Sequence, residues 1–546
     1  MNRSRGSRAS ALWFTAGDLV IAQVVGLVFA LVAGICGLSI WICLAIGLVF
    51  MAVALIRVRG WSTVDWIRTA WHYSTKPEYS ITRAVDYEAP TDQNIGLRWD
   101  GTNVVAVVEV LPPHGNLTQI APGSFQSTHL LPTSALASCL TQHDISLSGI
   151  DIVSHGYRAA AGSPATEVYD RLVGPLPATA TRTVWVVLRF DALAGKDSVD
   201  RRGGGREGAS RCITIAANRI VRTLDDNGCR ARILTAPEVD SAALQVSRGV
   251  VPTALEETWH DVTLPGVSNT GYEIEPRALT KELLAKLWVP SSLGTTVTVR
   301  LRPGSIEDQV QVAAGFRITT PTPIDPLTIP GLVSMSGRHR DGLLANLPIA
   351  ITDADGRSLF RDIPLHSLDA LSLPPAGCGQ LVGSDDGGHG ITARIAGLGI
   401  STVYVAGEMY LAQQLLFRAI ATGARVLIHT DRPDAWAPFI DSIATDDRLR
   451  LAGQHPQTEN RFNTVVFDGV SALPSRAGVT AIYLYGDASQ WPAAEPDLSI
   501  VQPNAIGDRI MLSTAGTSIE LTLVTISSET AYIGRPRTLE HFQPAY

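Results

Sequence analysis

The chain has 546 residues, 44 Lys and Arg against 51 Asp and Glu, a formal net charge of −7 and 45% hydrophobic residues. That is the balance of a folded protein with a mild acidic excess, and no long run of one charge offers a footing for nucleic acid. Its six cysteines have no paired spacing, and no His–Cys cluster or HExxH occurs; neither a disulfide framework, nor a metal, nor a cofactor is expected.

From Leu19 to Ile56 there is no charged side chain. A hydrocarbon core is crossed by ~20 helical residues, so this run is too long for one passage. It divides into two helices, 19–35 and 38–56, that reverse direction around Gly34 and Gly37. A signal peptide would have one shorter apolar core and a cleavage site. Arg3, Arg5 and Arg8 precede the run and Arg57, Arg59 and Arg68 follow it. Positive flanks stay on the cytoplasmic side, so both termini and the bulk of the chain are expected in the cytosol. Trp13, Phe14, Trp61, Trp66 and Trp71 suit the headgroup level. Asp18 and Gln23, at the start of the first helix, suit the interface or a neighbouring helix. Gly26, Ala30, Ala33 and Gly37 recur at three- and four-residue spacing, a small-residue stripe of the kind that packs membrane helices.

The remainder reads as several cytosolic domains. The spacing predicts a tail (1–18), the hairpin (19–56), a juxtamembrane helix (57–78), a first α+β domain (79–252), a strand-rich middle (253–376) and a C-terminal α/β domain (377–546). In the first domain, 95–99 and 104–111 are strands joined through Asp100-Gly101, a strong hairpin signal. A helix over 133–142 and a strand over 145–153 follow. The apolar run 183–190 suits a buried strand. Arg201, Arg202, Gly203, Gly204, Gly205 and Arg206 then form a basic glycine loop. It feeds a helix with Ile213, Ala216, Ala217, Ile220, Val221 and Leu224 on one face and Gly228 at its end. A strand over 229–234 and a short helix over 241–246 close the domain.

In the middle region, DVTLPG, TTVTVRLRPG, VQVAAGFRITTPTP and LPIAITDADGRSLF alternate like strands. The last third predicts strands at 380–382, 402–406, 425–429, 464–467, 481–485, 498–501, 509–513 and 519–525. A helix-like stretch after 383–390 and a helix over 408–422 alternate with them, which points to a largely parallel sheet.

Five features invite a chemical reading. Gly203, Gly205 and Gly208 fit GxGxxG, but the fingerprint should follow its strand at once, and Asp191–Arg202 intervene. Asp353-Ala354-Asp355-Gly356 has DxD form but sits where a hairpin turn is expected. Gly383–Gly390 has the frame of a phosphate loop but carries His389 and Gly390 where Lys and Ser/Thr are needed, with Asp385 and Asp386 where phosphate would lie. Val465–Asp468 resembles a strand ending in a magnesium-binding aspartate. Arg432 and Trp436 follow a strand end, where open α/β sheets bind ligands or where Arg432 simply caps local structure.

The hairpin, the RRGGGREGA loop before its helix and the stretch GEMYLAQQLLFRAIATGARVLIHTDRPDAW together resemble the EccE family of mycobacterial type VII (ESX) secretion systems. The resemblance runs through the DG strand pair and the TVWVVLRF–loop–helix–CRARILTAPE unit to the C-terminal domain. It implies a core component of the inner-membrane secretion complex beside EccB, EccC and EccD, peripheral in that complex, with no catalytic residues to carry over. The family's ATPase is a separate subunit. The chain is long for the family, which implies that the strand-rich middle is particular to one paralogous system. The expected function is therefore a structural, non-enzymatic, multi-pass subunit of the plasma membrane, with the small-residue stripe packing helices and the 201–206 loop docking a partner. The alternative is a membrane-tethered, degenerate nucleotide- or sugar-nucleotide-binding enzyme.

Overall fold

The computed structural model describes residues 16–55, 57–58, 61–75, 79, 81–90, 92–248, 255–306, 308–351, 354, 358–443, 445–453, 456–471 and 476–535. The expectations for Arg3, Arg5, Arg8, Trp13, Phe14, Arg59, Asp353, Asp355 and Gly356 fall outside those residues. The chain forms two compact units, Met1–Glu78 and Tyr79–Tyr546.

In the first unit, α1 (Ala16–Ile35) and α2 (Ile40–Leu55) run antiparallel. They are joined by a turn in which Gly37 has φ 79°, a left-handed conformation that glycine adopts without a Cβ penalty. The helices touch backbone to backbone. A Cβ on Gly26 would lie 2.7 Å from the Gly47 carbonyl oxygen, and one on Gly47 would lie 3.0 Å from the Ala30 Cβ. Beside this contact Phe29 and Phe50 stack with ring centroids 3.7 Å apart. Among the described residues no helix is long and apolar enough to cross a membrane. The second helix has 16 residues, about 24 Å at 1.5 Å per residue against a core of ~30 Å. Helix α3 (Thr63–Thr75) follows, tied back by the Thr63 hydroxyl, which donates to the Val53 carbonyl at 2.8 Å.

The second unit holds, among the described residues, a 13-stranded and a 12-stranded sheet. The first sheet is antiparallel. Its spine runs Glu256–Glu257, Val262–Leu264, Val267–Ile274, Gln309–Thr320, Gly294–Pro303, Gly149–Tyr157, Thr181–Asp191, Asn103–Val110, Asn94–Asp100, Val85–Glu88. Strands from 79–252 and 253–376 thus share one ladder, with Gly149–Tyr157 paired to Gly294–Pro303. The Asp100-Gly101 hairpin forms as the sequence predicts, with Gly101 at φ 61°. One face carries the helix Gly205–Asp226, whose Ala209, Cys212, Ile213, Ala216, Ala217, Ile220 and Leu224 are buried. Gly208 lets that helix approach closely, since a Cβ there would meet the Val199 carbonyl oxygen at 2.3 Å.

The other face is covered by the 339–351 segment, where the structure departs from expectation. Residues 347–351 are not a strand but a buried, irregular stretch, and the nearby strand is Arg361–Pro364. The reason lies in the sheet below. Buried arginines supply the donors that a partner strand would have supplied: Arg98 Nη1 donates to the Ile349 carbonyl at 2.9 Å and Arg300 Nη2 to the Ala345 carbonyl at 2.9 Å. Buried carbonyls need such partners whatever the secondary structure.

The second sheet is parallel over Leu449–Leu451, Val426–Thr430, Thr464–Asp468, Thr480–Tyr485, Thr402–Ala406 and Leu498–Val501. It continues antiparallel through Arg509–Thr514, Thr517–Thr522, Gln380–Ser384 and Gly390–Ala393. Its last two strands, Leu117–Ala121 and Ser124–Ser127, come from the first third of the chain. The parallel character therefore covers part of the sheet. The stretch after the 383–390 turn is a strand rather than the expected helix, because Gly390–Ala393 completes a tight hairpin with Gln380–Ser384.

A buried ion pair pins this second sheet to its helices. Arg418, on Met409–Ala421, meets Glu529 through Nε–Oε1 at 2.7 Å and Nη2–Oε2 at 2.8 Å, and its Nη1 donates to the Leu381 carbonyl at 2.9 Å. Both side chains are 1% exposed. Removing one partner strands a charge in the interior, whereas an apolar pair of similar volume does not. Glu529→Ala is expected to cost about 3–5 kcal/mol in urea unfolding of the full chain, and the double variant Arg418→Met/Glu529→Leu clearly less. Equal losses in the two would contradict this reading.

Candidate functional site

The carboxyl ends of the parallel strands are where open α/β sheets place ligands. Here Thr402–Ala406, Val426–Thr430, Thr464–Asp468 and Thr480–Tyr485 end around a cavity of about 650 Å³, lined by Glu408, Asp431, Arg432, Asp468, Gly469 and Tyr485 among others. Arg432 and Asp468, singled out by the sequence, do meet there.

Asp468 is 1% exposed and its oxygens are occupied. Arg432 donates through Nε to Oδ2 at 2.9 Å and through Nη2 to Oδ1 at 2.6 Å. Trp436 Nε1 and the Thr430 hydroxyl each donate to Oδ2 at 2.8 Å. A carboxylate has about four lone-pair positions, so these donors leave little for a cation. Burial raises the Asp468 pKa, but the hydrogen bonds from Arg432, Trp436 and Thr430 outweigh it and hold the carboxyl below its ordinary value. Trp436 sits on Pro433–Ile443, so the cluster ties that helix to the strand ends.

The glycine-rich stretch Gly383–Gly390 is the turn of an antiparallel hairpin, not a loop opening a helix. Its carboxylates serve the turn. Asp385 accepts from the His389 backbone N–H at 2.8 Å and from Gln119 Nε2 at 2.8 Å, and Asp386 pairs with Arg509 at 3.0 Å. Among the described residues no group of three or more His, Cys, Asp or Glu is arranged to hold a metal ion.

The basic glycine loop joins two helices, Lys196–Arg201 and Gly205–Asp226. Gly203, Gly204 and Gly205 all have positive φ, which explains the glycine run. Arg202 forks onto Asp144, with Nη1–Oδ2 at 2.7 Å and Nη2–Oδ1 at 2.8 Å, and Arg201 adds a bond to Oδ2 at 3.0 Å. The hydrogen bond from Arg202 leads in pulling the Asp144 pKa down to about 2. Arg206 lies with its guanidinium carbon 4.9 Å from the Trp99 ring centroid. Arg201 remains mostly exposed. In the hairpin, Gly26 and Ala30 face Gly47, Ala33 is buried, and Gly37 is in the turn. Sequence reasoning gave Gly47 no role; its own small-residue spacing with Ala54 and Cys43 on α2 was the available signal.

These features define a class, a mixed α/β protein led by an apolar helical hairpin. The comparisons narrow it. The EccE family model, that of the type VII ESX secretion system translocon, matches residues 178–274, from the central strand through the glycine loop and its helix. The chain is 26% identical over 397 residues to the ESX-1 secretion system protein EccE1 of Mycolicibacterium smegmatis, covering 71% of this chain and 77% of that protein. It is 25% identical to the ESX-5 secretion system protein EccE5 of Mycobacterium marinum, covering 61% and 85%, and 24% identical to the ESX-2 secretion system protein EccE2 of Mycobacterium tuberculosis, covering 72% and 71%. These matches make the chain similar to EccE proteins of type VII secretion systems over most of its length.

A depressed carboxylate contributes stability that is present above its unfolded pKa, ~3.9 for Asp, and is lost as pH falls through the folded value. Asp468→Asn is therefore expected to destabilise the chain by about 1–3 kcal/mol near pH 7, with the gap to wild type closing below pH ~4 in acid titration of the melting temperature. A gap that does not change with pH would contradict the assignment.

Proposed function

We propose that this chain is a structural core component of the inner-membrane complex of a type VII (ESX) secretion system. The observation that carries the reading is its similarity, over most of its length, to proteins named as ESX secretion system EccE proteins. The 19–56 hairpin is its anchor and the remainder is cytosolic, with EccB, EccC and EccD as the partner subunits. In support, the hairpin's outward side chains are large and apolar. Leu27, Leu31, Ile35, Trp41 and Leu48 are all more than half exposed, and such a surface is satisfied by lipid or by other membrane helices. The shortness of α2 is accommodated by local bilayer thinning or by packing against neighbours.

The role is assembly. The stripe Gly26, Ala30, Ala33 and Gly37 keeps the hairpin compact, and its apolar flanks meet partner helices. The 201–206 turn offers the exposed Arg206 to an acidic surface, together with Arg201, which is mostly exposed beyond its single bond to Asp144, while Arg202 is committed to that carboxylate. A second reading, degenerate nucleotide or sugar-nucleotide binding, has the 650 Å³ cavity in its favour. The filled Asp468 and the paired Asp385 and Asp386 argue against a working phosphate and magnesium site.

Gly26→Leu and Gly47→Leu would drive the two backbones apart. Each is expected to reduce the chain recovered in the assembled membrane complex several-fold, measured by native gel and quantitative mass spectrometry. Unchanged recovery would count against the anchoring role.

A further inference from the structure

The two sheets of the second unit meet beside an edge. Ser124–Ser127 is the last strand of the second sheet, and its outer side has no strand partner among the described residues. Alternate backbone N–H and C=O groups of such an edge are open to an added strand. Between this edge and the helix Lys281–Lys286 lies a cavity of about 240 Å³. Its walls are largely apolar, with Phe125, Leu284, Trp288, Leu371 and Leu373. Lys281 and Glu282 stand exposed at the rim.

One charge lines this cavity from the inside. Arg182 is 8% exposed, at the start of the central strand Thr181–Asp191. Its guanidinium carbon lies 4.2 Å from the Trp288 ring centroid and 6.0 Å from that of Phe125. Nη2 donates to the Thr179 hydroxyl at 3.1 Å, while the buried Nε has no hydrogen-bond partner. Among the described residues no carboxylate pairs with it. The titratable group that acts on it electrostatically is the Cys378 thiol, and burial pushes that thiol's pKa up. A cation buried without a counter-charge is costly. Stacking on two rings offsets part of the cost, and an arriving anion offsets the rest.

We propose that this groove binds the free C-terminal end of an extended peptide with an apolar last residue, the chain adding to the Ser124–Ser127 edge, the apolar side chain filling the cavity and the carboxylate pairing with Arg182. The proposal is independent of the secretion assignment. It joins a strand edge to an apolar pocket and a single unpaid cation, the elements by which peptide termini are recognised as added strands. A carboxylate also matches the planar guanidinium fork better than any neutral group.

The test uses the full chain in mild detergent and fluorescein-labelled hexapeptides ending in Val, Leu, Ile or Phe, each as free acid and as C-terminal amide, read by fluorescence anisotropy. At least one free acid is expected to bind saturably, with its amide weaker by roughly tenfold or more. Arg182→Met removes the charge while keeping an apolar body against the rings. It is expected to melt no lower than wild type, because it relieves an uncompensated cation, and to lose the preference for acid over amide. Ala285→Trp, on the half-buried cavity wall, fills the pocket without touching Arg182 and is expected to abolish binding. No binding by any free acid, equal binding of acid and amide, or unchanged binding by Ala285→Trp would overturn the proposal.

Discussion

The second unit depends on one strand pairing. Gly390–Ala393 lies antiparallel to Leu117–Ala121, from Gly390 opposite Ile120 to Ala393 opposite Leu117. The Thr392 hydroxyl donates to the Thr118 carbonyl at 3.0 Å, and a Cβ on Gly390 would lie 3.0 Å from the Ile120 side chain. This pairing carries a segment of the first third of the chain into the sheet built by the last third. A second weld lies nearby, where the Cys378 N–H donates to the Thr179 carbonyl at 2.8 Å and the Thr179 N–H donates to the Cys378 sulfur at 3.3 Å. Gly377 permits it, since a Cβ there would meet the Ala180 carbonyl oxygen at 2.5 Å. The chain thus passes between the sheets where they are locked, and residues 79–546 form one unit rather than a string of modules.

Buried arginines are the second theme. Arg98 and Arg300 donate to carbonyls of the chain that covers the first sheet, while Arg317 donates to the Val246 carbonyl and to Asn269 and Thr296 on neighbouring strands. Carboxylates join in as well: Asp100 lies 3.7 Å from Arg98 Nη2, and Asp151 holds Arg189 through Nε at 2.8 Å and Arg302 through Nη1 at 2.7 Å. Arginine suits this use because its planar fork bonds several oxygens at once and is more weakly hydrated than an ammonium group. The covering segment is then fixed by directional bonds instead of by a ladder. That accounts for an apolar stretch such as 347–351 being fully buried without becoming a strand.

Local pattern carried much of this fold. The uncharged 19–56 run reads as a hairpin, the Asp100-Gly101 turn is where the pattern puts it, and the strands of the last third fall within a few residues of expectation. The cluster at Arg432, Trp436 and Asp468 was half legible. Each residue stood out, but only the folded chain shows that the arginine, the indole and Thr430 saturate the aspartate. What escaped is non-local. Leu117–Ala121 and Ser124–Ser127 are short, and their Pro122-Gly123 turn is the sole local sign of a hairpin whose partner lies some 270 residues away. The Gly383–Gly390 turn imitates a phosphate loop because both need glycine, and only the strand after it tells them apart. The cavity beside Arg182 draws its walls from several distant stretches of chain, and no window of sequence contains it.

The central claim is membership of a membrane-embedded secretion assembly. It is tested most directly by mild-detergent extraction of the C-terminally tagged full chain from native membranes, followed by native gel and mass spectrometry. The account expects the chain in a megadalton particle together with an FtsK-like ATPase and a polytopic membrane subunit. Recovery as a free monomer or dimer, or in the soluble fraction before detergent, would contradict it.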